Sequence, residues 1–283
     1  MLNEEGATSE AQLLELMALR AAGLPPRKLL RLFLSDEAKP AELPLDLPTD
    51  IDCYREMIEQ ALPLAKEELA RCRQAGITIL PYFTSDYPVA LHALGGARPV
   101  LLYAKGDLGL LQSPASILGI VGTRQPSPEG LAAAHRIAYE EAEKGRVILS
   151  GLAYGCDTAA HHGALEATGR TVAVIATGLD RAHPEAHHAL QDRIIASGGL
   201  VLSEYPLATP ADTYRLVARD RLQAALCAEL LVIECGVQSG TMHTVRFAER
   251  YRRPIFALPP HTDCLPSLEG NRQLLLSGRA KPW

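Results

Sequence analysis

Up to about residue 75 the apolar positions recur at helical spacing; beyond it they gather into short runs. Ser9–Ala22 places Leu13, Leu14, Met17 and Leu19 on one helical stripe, with Ser9 in an N-cap position. Gly23-Leu24-Pro25-Pro26 breaks that helix and Arg27–Leu34 restarts it. Lys39–Asp50 carries Pro40, Pro44 and Pro48 and reads as a linker or extended segment. Cys53–Ala75 reads as a longer helix with paired acidic and basic residues on its outer face. Together these predict a small all-helical module, and both binding a ligand and capping a larger domain remain open uses for it.

From Gly76 the runs are Ile77–Leu80, Val100–Tyr103, Ile117–Val121, Val147–Leu149, Val172–Ala176, Leu200–Leu202, Leu230–Ile233 and Ile255–Ala257. From the third onward a helical segment fills nearly every gap. That alternation predicts βαβ units: an α/β fold with a mainly parallel sheet and helices on both faces.

In such a sheet, ligands sit beyond the carboxyl ends of the strands. Four predicted strand ends share one character. The first is Gly122-Thr123-Arg124, followed by Ser127 as N-cap and Pro128 at the first helical position. There Gly122 allows a tight turn, the helix start offers unpaired N–H groups, and Arg124 adds a planar charged fork. The second is Ser150-Gly151-Leu-Ala-Tyr-Gly155-Cys-Asp157, and the third is Gly178-Leu179-Asp180-Arg181 with Pro184 opening the next helix. The fourth is Gln238-Ser239-Gly240-Thr241. One Gly-rich strand end serves a turn as readily as a ligand. Four on one sheet point to anion or nucleotide binding.

Composition narrows the partners. The chain has 283 residues, 47% hydrophobic and 22% charged, with a net charge of −5. This excludes a DNA coater that works through a bulk basic surface, but allows a basic track on one face. From Asp212 to Arg253 there are seven arginines against five acids. The six cysteines form no C-x-x-C pair and read as reduced core residues. The polar, acidic start and the lack of a run of ~20 apolar residues lead to an expected cytoplasmic location and no membrane partner.

No catalytic group or cofactor is expected. Ser150 and Ser239 lack the G-x-S-x-G elbow. His161, His162, His183, His187 and His188 match no usual metal spacing, so no metal is expected. Asp157 is expected to cap its helix.

Gly119-Ile-Val-Gly-Thr-Arg124, Ser150-Gly151-Leu-Ala-Tyr-Gly-Cys-Asp-Thr-Ala-Ala-His161, Gly178-Leu-Asp180, Ser203-Glu-Tyr-Pro206, Gln238-Ser-Gly-Thr241 and Gly270-Asn271 occur in this order. They resemble the DprA/Smf family of DNA-processing proteins, a Rossmann-like branch related to the cytokinin-activating LOG enzymes. Tyr82–Gly106 looks like the family's lead-in, so the likeness spans roughly Ile77 to Ala280. The resemblance implies a helical module over residues 1–75, similar to SAM or helix-hairpin-helix modules, and a Rossmann-like domain over residues 76–283. It also implies a homodimer that binds and protects incoming single-stranded DNA and loads the RecA recombinase on it in natural transformation. Carried over, Gly122, Thr123 and Arg124 would grip phosphate. Ser150, Gly151, Gly178, Arg181, Ser239, Gly240 and Thr241 would line the same pocket, with Arg219 and Arg221 as basic positions.

There are departures. Leu216-Val-Ala-Arg219-Asp220-Arg221 puts an acid where the family has an amide, which is expected to weaken anion binding. His183-Pro184 and His187 replace a Tyr-Pro and an Asn. The winged-helix tail of many relatives is not expected, since the sequence stops at Trp283. The alternatives are a LOG-like phosphoribohydrolase of nucleoside monophosphates and a nucleotide-sensing paralogue. The first needs a glutamate that Ser239-Gly-Thr-Met-His-Thr-Val245 lacks.

Overall fold

A computed structural model describes residues 4–33, 51–262 and 265–283, with side chains from residue 10 onward. The expected linker at Lys39–Asp50 lies outside the described residues. The chain divides into two compact units, residues 1–103 and 104–283. That division falls later than the expected boundary at 75/76.

The first unit holds helices α1 (Glu4–Ala21), α2 (Pro26–Leu32) and α3 (Arg55–Gln74), then strand β1 (Thr78–Pro81) and the start of β2 (Leu101–Gly106). Ser9 lies inside α1 and does not cap it, because the helix already begins at Glu4. Leu16, Met17 and Leu19 are fully buried. The Arg20 guanidinium donates to Glu68 at 2.5 Å, and the Tyr103 hydroxyl donates to the same carboxylate. The Tyr82 hydroxyl lies 2.8 and 3.0 Å from the carbonyls of Leu29 and Leu30, orphan acceptors at the end of α2.

The second unit is the predicted α/β fold. Its strands are β3 (Ile117–Val121), β4 (Val147–Ser150), β5 (Thr171–Val174), β6 (Leu200–Ser203), β7 (Glu229–Val232), β8 (Ile255–Ala257) and β9 (Lys281–Pro282). They lie in the order β6-β5-β4-β3-β7-β8-β9, and neighbours pair in parallel. The helices are α4 (Pro128–Glu143), α5 (Cys156–Ala167), α6 (His188–Ala196), α7 (Thr213–Leu226), α8 (Thr241–Arg250) and α9 (Glu269–Leu276). Pro184 does not open α6 directly, since a short 3-10 turn at Glu185–His187 intervenes.

Leu118, Ile120, Ile148 and Leu231 face α4 and α5, meeting Ala134, Ile137, Ala138, Ala159 and Ala160. Burying a leucine of this kind stabilises by about 1.5–3 kcal/mol. Alternation puts Gly119 on the other face, where a Cβ would lie 3.1 Å from Cys227, just past α7. Helices therefore cover both faces.

From β3 the chain steps outward through β4, β5 and β6, then returns to the other side of β3 with β7. The loops after β3 and β7 leave in opposite directions and open a crevice at the carboxyl end of the sheet. No described helix is long and apolar enough to cross a membrane.

Candidate functional site

That crevice is a cleft of about 490 Å³. The loop after β3 contributes Gly122, Thr123 and Arg124; the loop after β4 and the start of α5 contribute Ala153 and Asp157. Helix α7 adds Arg219, Asp220 and Gln223, and the start of α8 adds Ser239, Gly240, Thr241 and His243. A recess of about 150 Å³ shares Arg124, Ala153, Leu216 and Arg219 with it and adds Gly151, Tyr154 and His183. Of the expected site residues, Ser150, Gly178, Arg181 and Arg221 line neither.

The first loop is held from both sides. The Thr123 N–H donates to the Glu234 carbonyl at 2.7 Å, and the Cys156 N–H donates to the Thr123 carbonyl at 3.2 Å. Gly122 has no left-handed φ, so a turn does not require it. A Cβ there would lie 2.4 Å from the Cys156 sulfur, and this close approach of α5 is the reason for glycine.

The start of α4 differs from expectation. Ser127 caps it as predicted, accepting from the Gly130 N–H at 2.9 Å. The fully buried Glu234 carboxylate occupies the same helix end, accepting from the Ser127 N–H at 3.0 Å and its hydroxyl at 2.9 Å. The Ser267 hydroxyl also donates to it. The positive end of α4 is thus filled by the protein's own anion. Arg124, three residues earlier, is exposed and makes no hydrogen bond or ion pair among the described residues.

Arg219 is 5% exposed. Its guanidinium donates to the carbonyls of Gly151 at 2.7 Å and Val174 at 2.5 Å, and to Asp220 at 3.1 Å. It ties the ends of β4 and β5 together and partners the acid that departs from the family pattern. Arg221 forks onto Glu204 at 2.6 and 2.5 Å. The Ser150 hydroxyl is spent on the Ile120 carbonyl at 2.7 Å.

Asp157 does not cap α5, whose N-cap is Gly155. From inside the first turn its carboxylate accepts from the N–H groups of Gly151 at 3.1 Å and Ala153 at 3.3 Å, bracing the loop after β4. Burial pushes its carboxyl up to about 6, opposed by Arg219. Burial also raises Asp220, against the same guanidinium.

The fourth loop is the open one. The Ser239 hydroxyl accepts from the Thr241 N–H at 3.3 Å and donates to its Oγ1 at 3.1 Å. Gly240, at the cap of α8, has φ −53, and a Cβ there would meet nothing within 4 Å. Neither conformation nor packing demands glycine, so its lack of a side chain leaves the helix end accessible from the cleft. Asn271 holds the neighbouring strand ends: it accepts from the Cys235 N–H at 2.9 Å and donates to the carbonyls of Ile233 at 2.9 Å and Leu258 at 3.0 Å.

No group of three or more His, Cys, Asp or Glu among the described residues is placed to hold a metal. His161 is buried against Thr171 at 2.8 Å, and burial pushes it down to about 3, so it is neutral. The buried thiols of Cys227 and Cys235 are pushed up to about 12 by burial and are inert at neutral pH.

The family model for DNA recombination-mediator protein A matches residues 78–283. Protein Smf of Synechocystis is 36% identical over 200 residues, covering 68% of this chain and 50% of that protein, so the chain matches half the length of that relative. The structure of DNA processing protein A from Streptococcus pneumoniae superposes with a TM-score of 0.79 at 31% identity, covering 95% of this chain and 94% of that one. DNA processing protein A from Helicobacter pylori, described with a single-stranded DNA binding mode, gives 0.65 at 32% identity over 73% of this chain and 90% of that one. A match across most of the chain, with the cleft loops inside it, means that the chain belongs to the DNA recombination-mediator protein A family.

Proposed function

We propose that the cleft binds the phosphates of single-stranded DNA and that the protein, as a homodimer, passes the strand to a RecA-type recombinase. In this reading it acts by binding and not by hydrolysis. The observation that carries the proposal is the pairing of the unpartnered Arg124 with the open start of α8 across one cleft. Gly122, Thr123, Arg124, Ser239, Gly240 and Thr241 are the contact set. Ser150, Gly151 and Arg219 shape the loops behind it, while Gly178, Arg181 and Arg221 lie outside the cleft. The family's description as a recombination mediator and the Helicobacter pylori relative's single-stranded DNA mode support this ligand and partner.

Fluorescence anisotropy with a labelled oligonucleotide at rising salt tests it. The logarithm of affinity should fall linearly with the logarithm of salt, by about 0.7 per phosphate held. Gly240→Ala should leave stability within about 0.5 kcal/mol, since the new methyl meets no protein atom. It should weaken binding severalfold by standing between the α8 end and the phosphate. No binding at low salt would sink the proposal, and light scattering on the same samples reads the mass expected of a dimer.

Affinity should also depend on pH. A phosphodiester stays anionic across the range where Asp157 titrates and favours that group's neutral form, so binding takes up a proton. Affinity should rise as pH falls from about 7.5 to about 5.5, and Asp157→Asn should remove most of the rise. An unchanged slope in the variant would shift the effect to Asp220, the other buried carboxylate of the cleft.

A further inference from the structure

The seven arginines between Asp212 and Arg253 divide into two groups in the structure. Arg215 pairs with Asp212 at 2.5 Å, Arg219 with Asp220 at 3.1 Å and Arg221 with Glu204 at 2.5 Å, while Arg253 donates to the Ala225 carbonyl at 2.6 Å. Arg246, Arg250 and Arg252 remain, exposed and with no side-chain hydrogen bond or ion pair among the described residues. All three lie on α8 or just past its end. The nearest acid in sequence, Glu249, is held by Arg279 at 2.6 and 3.0 Å. A chain of net charge −5 thus presents a local row of uncompensated cations.

Helical spacing gives the row a direction. Thr241, Met242, Thr244, Val245 and Ala248 are the buried side of α8. His243, Arg246, Phe247, Arg250 and Tyr251 share the opposite face at i, i+3, i+4, i+7 and i+8. Phe247 and Tyr251 stack at 6.2 Å with planes 10° apart, both partly exposed between the arginines. The row begins in the cleft, because His243 is one of its walls. From His243 to Tyr251 it runs about 12 Å, and Arg246 and Arg250 stand about 6 Å apart along it.

We propose that this face of α8 carries the strand onward from the cleft, with Arg246 and Arg250 on successive phosphates and the Phe247–Tyr251 pair as a platform for a base. Aromatics interleaved with unpaired cations suit a single strand, whose bases are free to stack. Continuity with the phosphate cleft favours it over an acidic protein segment. The inference rests on the cleft being a DNA site.

The test compares labelled oligothymidylates of about four and about twelve nucleotides. The double variant Arg246→Ala/Arg250→Ala should bind the short strand within about twofold of the unaltered protein. It should bind the long strand roughly tenfold more weakly, with a salt slope smaller by about 1.4, the share of two phosphates. Arg246→Lys/Arg250→Lys should keep the slope. Tyr251→Leu should weaken the long strand about tenfold, whereas Tyr251→Phe should not. Unchanged long-strand affinity and slope in the double variant would overturn the inference and leave the cleft reading intact. Equal loss for both lengths would also overturn it, since the arginines would then act through the cleft. If the unaltered protein binds neither length, the cleft reading fails and this one with it.

Discussion

Arg124→Ala should weaken single-stranded DNA binding by roughly ten- to a hundredfold and leave the melting temperature unchanged. A hydrogen bond to a charged group contributes about 1.5–3 kcal/mol, and a guanidinium can make two parallel ones to a single phosphate. None of this is used within the protein, because the Arg124 side chain makes no hydrogen bond or ion pair among the described residues. Its loss therefore falls on the ligand alone. The salt slope should drop by about 0.7, and Arg124→Lys should recover the slope but only part of the affinity, since an ammonium lacks the fork. Binding by Arg124→Ala equal to that of the unaltered protein would remove the residue from the site. The contrast is Arg219, whose guanidinium is already bonded to Gly151, Val174 and Asp220, so its replacement would strike the fold first.

The second large effect is on stability. Glu234→Ala deletes a fully buried acceptor and strands the Ser127 N–H, the Ser127 hydroxyl and the Ser267 hydroxyl. Each buried group left unsatisfied costs about 1–3 kcal/mol, and loss of the charge at the α4 end adds about 0.3–1 kcal/mol. At the low end of each range, because the Ser127 and Ser267 hydroxyls can rotate and Ser267 is only half-buried, about 3–5 kcal/mol is expected in total. For a unit of this size it lowers the melting temperature by roughly 10 °C. Glu234→Gln, which keeps one acceptor oxygen, should recover about half. Thermal and urea unfolding measure both, and a loss under about 1 kcal/mol would show the helix end to be satisfied by other means.

Much of the scaffold was legible in the sequence because its signals are local. The strand runs appear where the period changes, and Ser127-Pro128 marks the start of α4 through residues that contact their own helix. Gly122 and Gly240 were legible as positions of interest, but not for their reasons. Gly122 yields to Cys156 of another helix, and Gly240 yields to nothing in the protein. Glu234 was missed altogether. A lone carboxylate after an apolar run looks like any polar residue at a strand end, and its meaning lies in Ser127, 107 positions away. Asp220 reads as a flaw beside a phosphate track until Arg219 is seen bonded to it. Arg219 and Arg221 look like surface cations in a one-dimensional count. Only the folded chain brings the acceptors that engage them.

The same carboxylate bears on which ligands this Rossmann-like domain can receive. In dinucleotide-binding relatives of the architecture, the coenzyme's pyrophosphate seats on the helix that follows the first strand of the parallel sheet. Here the equivalent helix is α4, and Glu234 is a tethered competitor for that seat. Its effective concentration is of the kind that linkage supplies, in the millimolar range or above. A freely diffusing coenzyme would have to displace it at every encounter. By occupying its own coenzyme seat, the domain closes the start of α4 to a second anion.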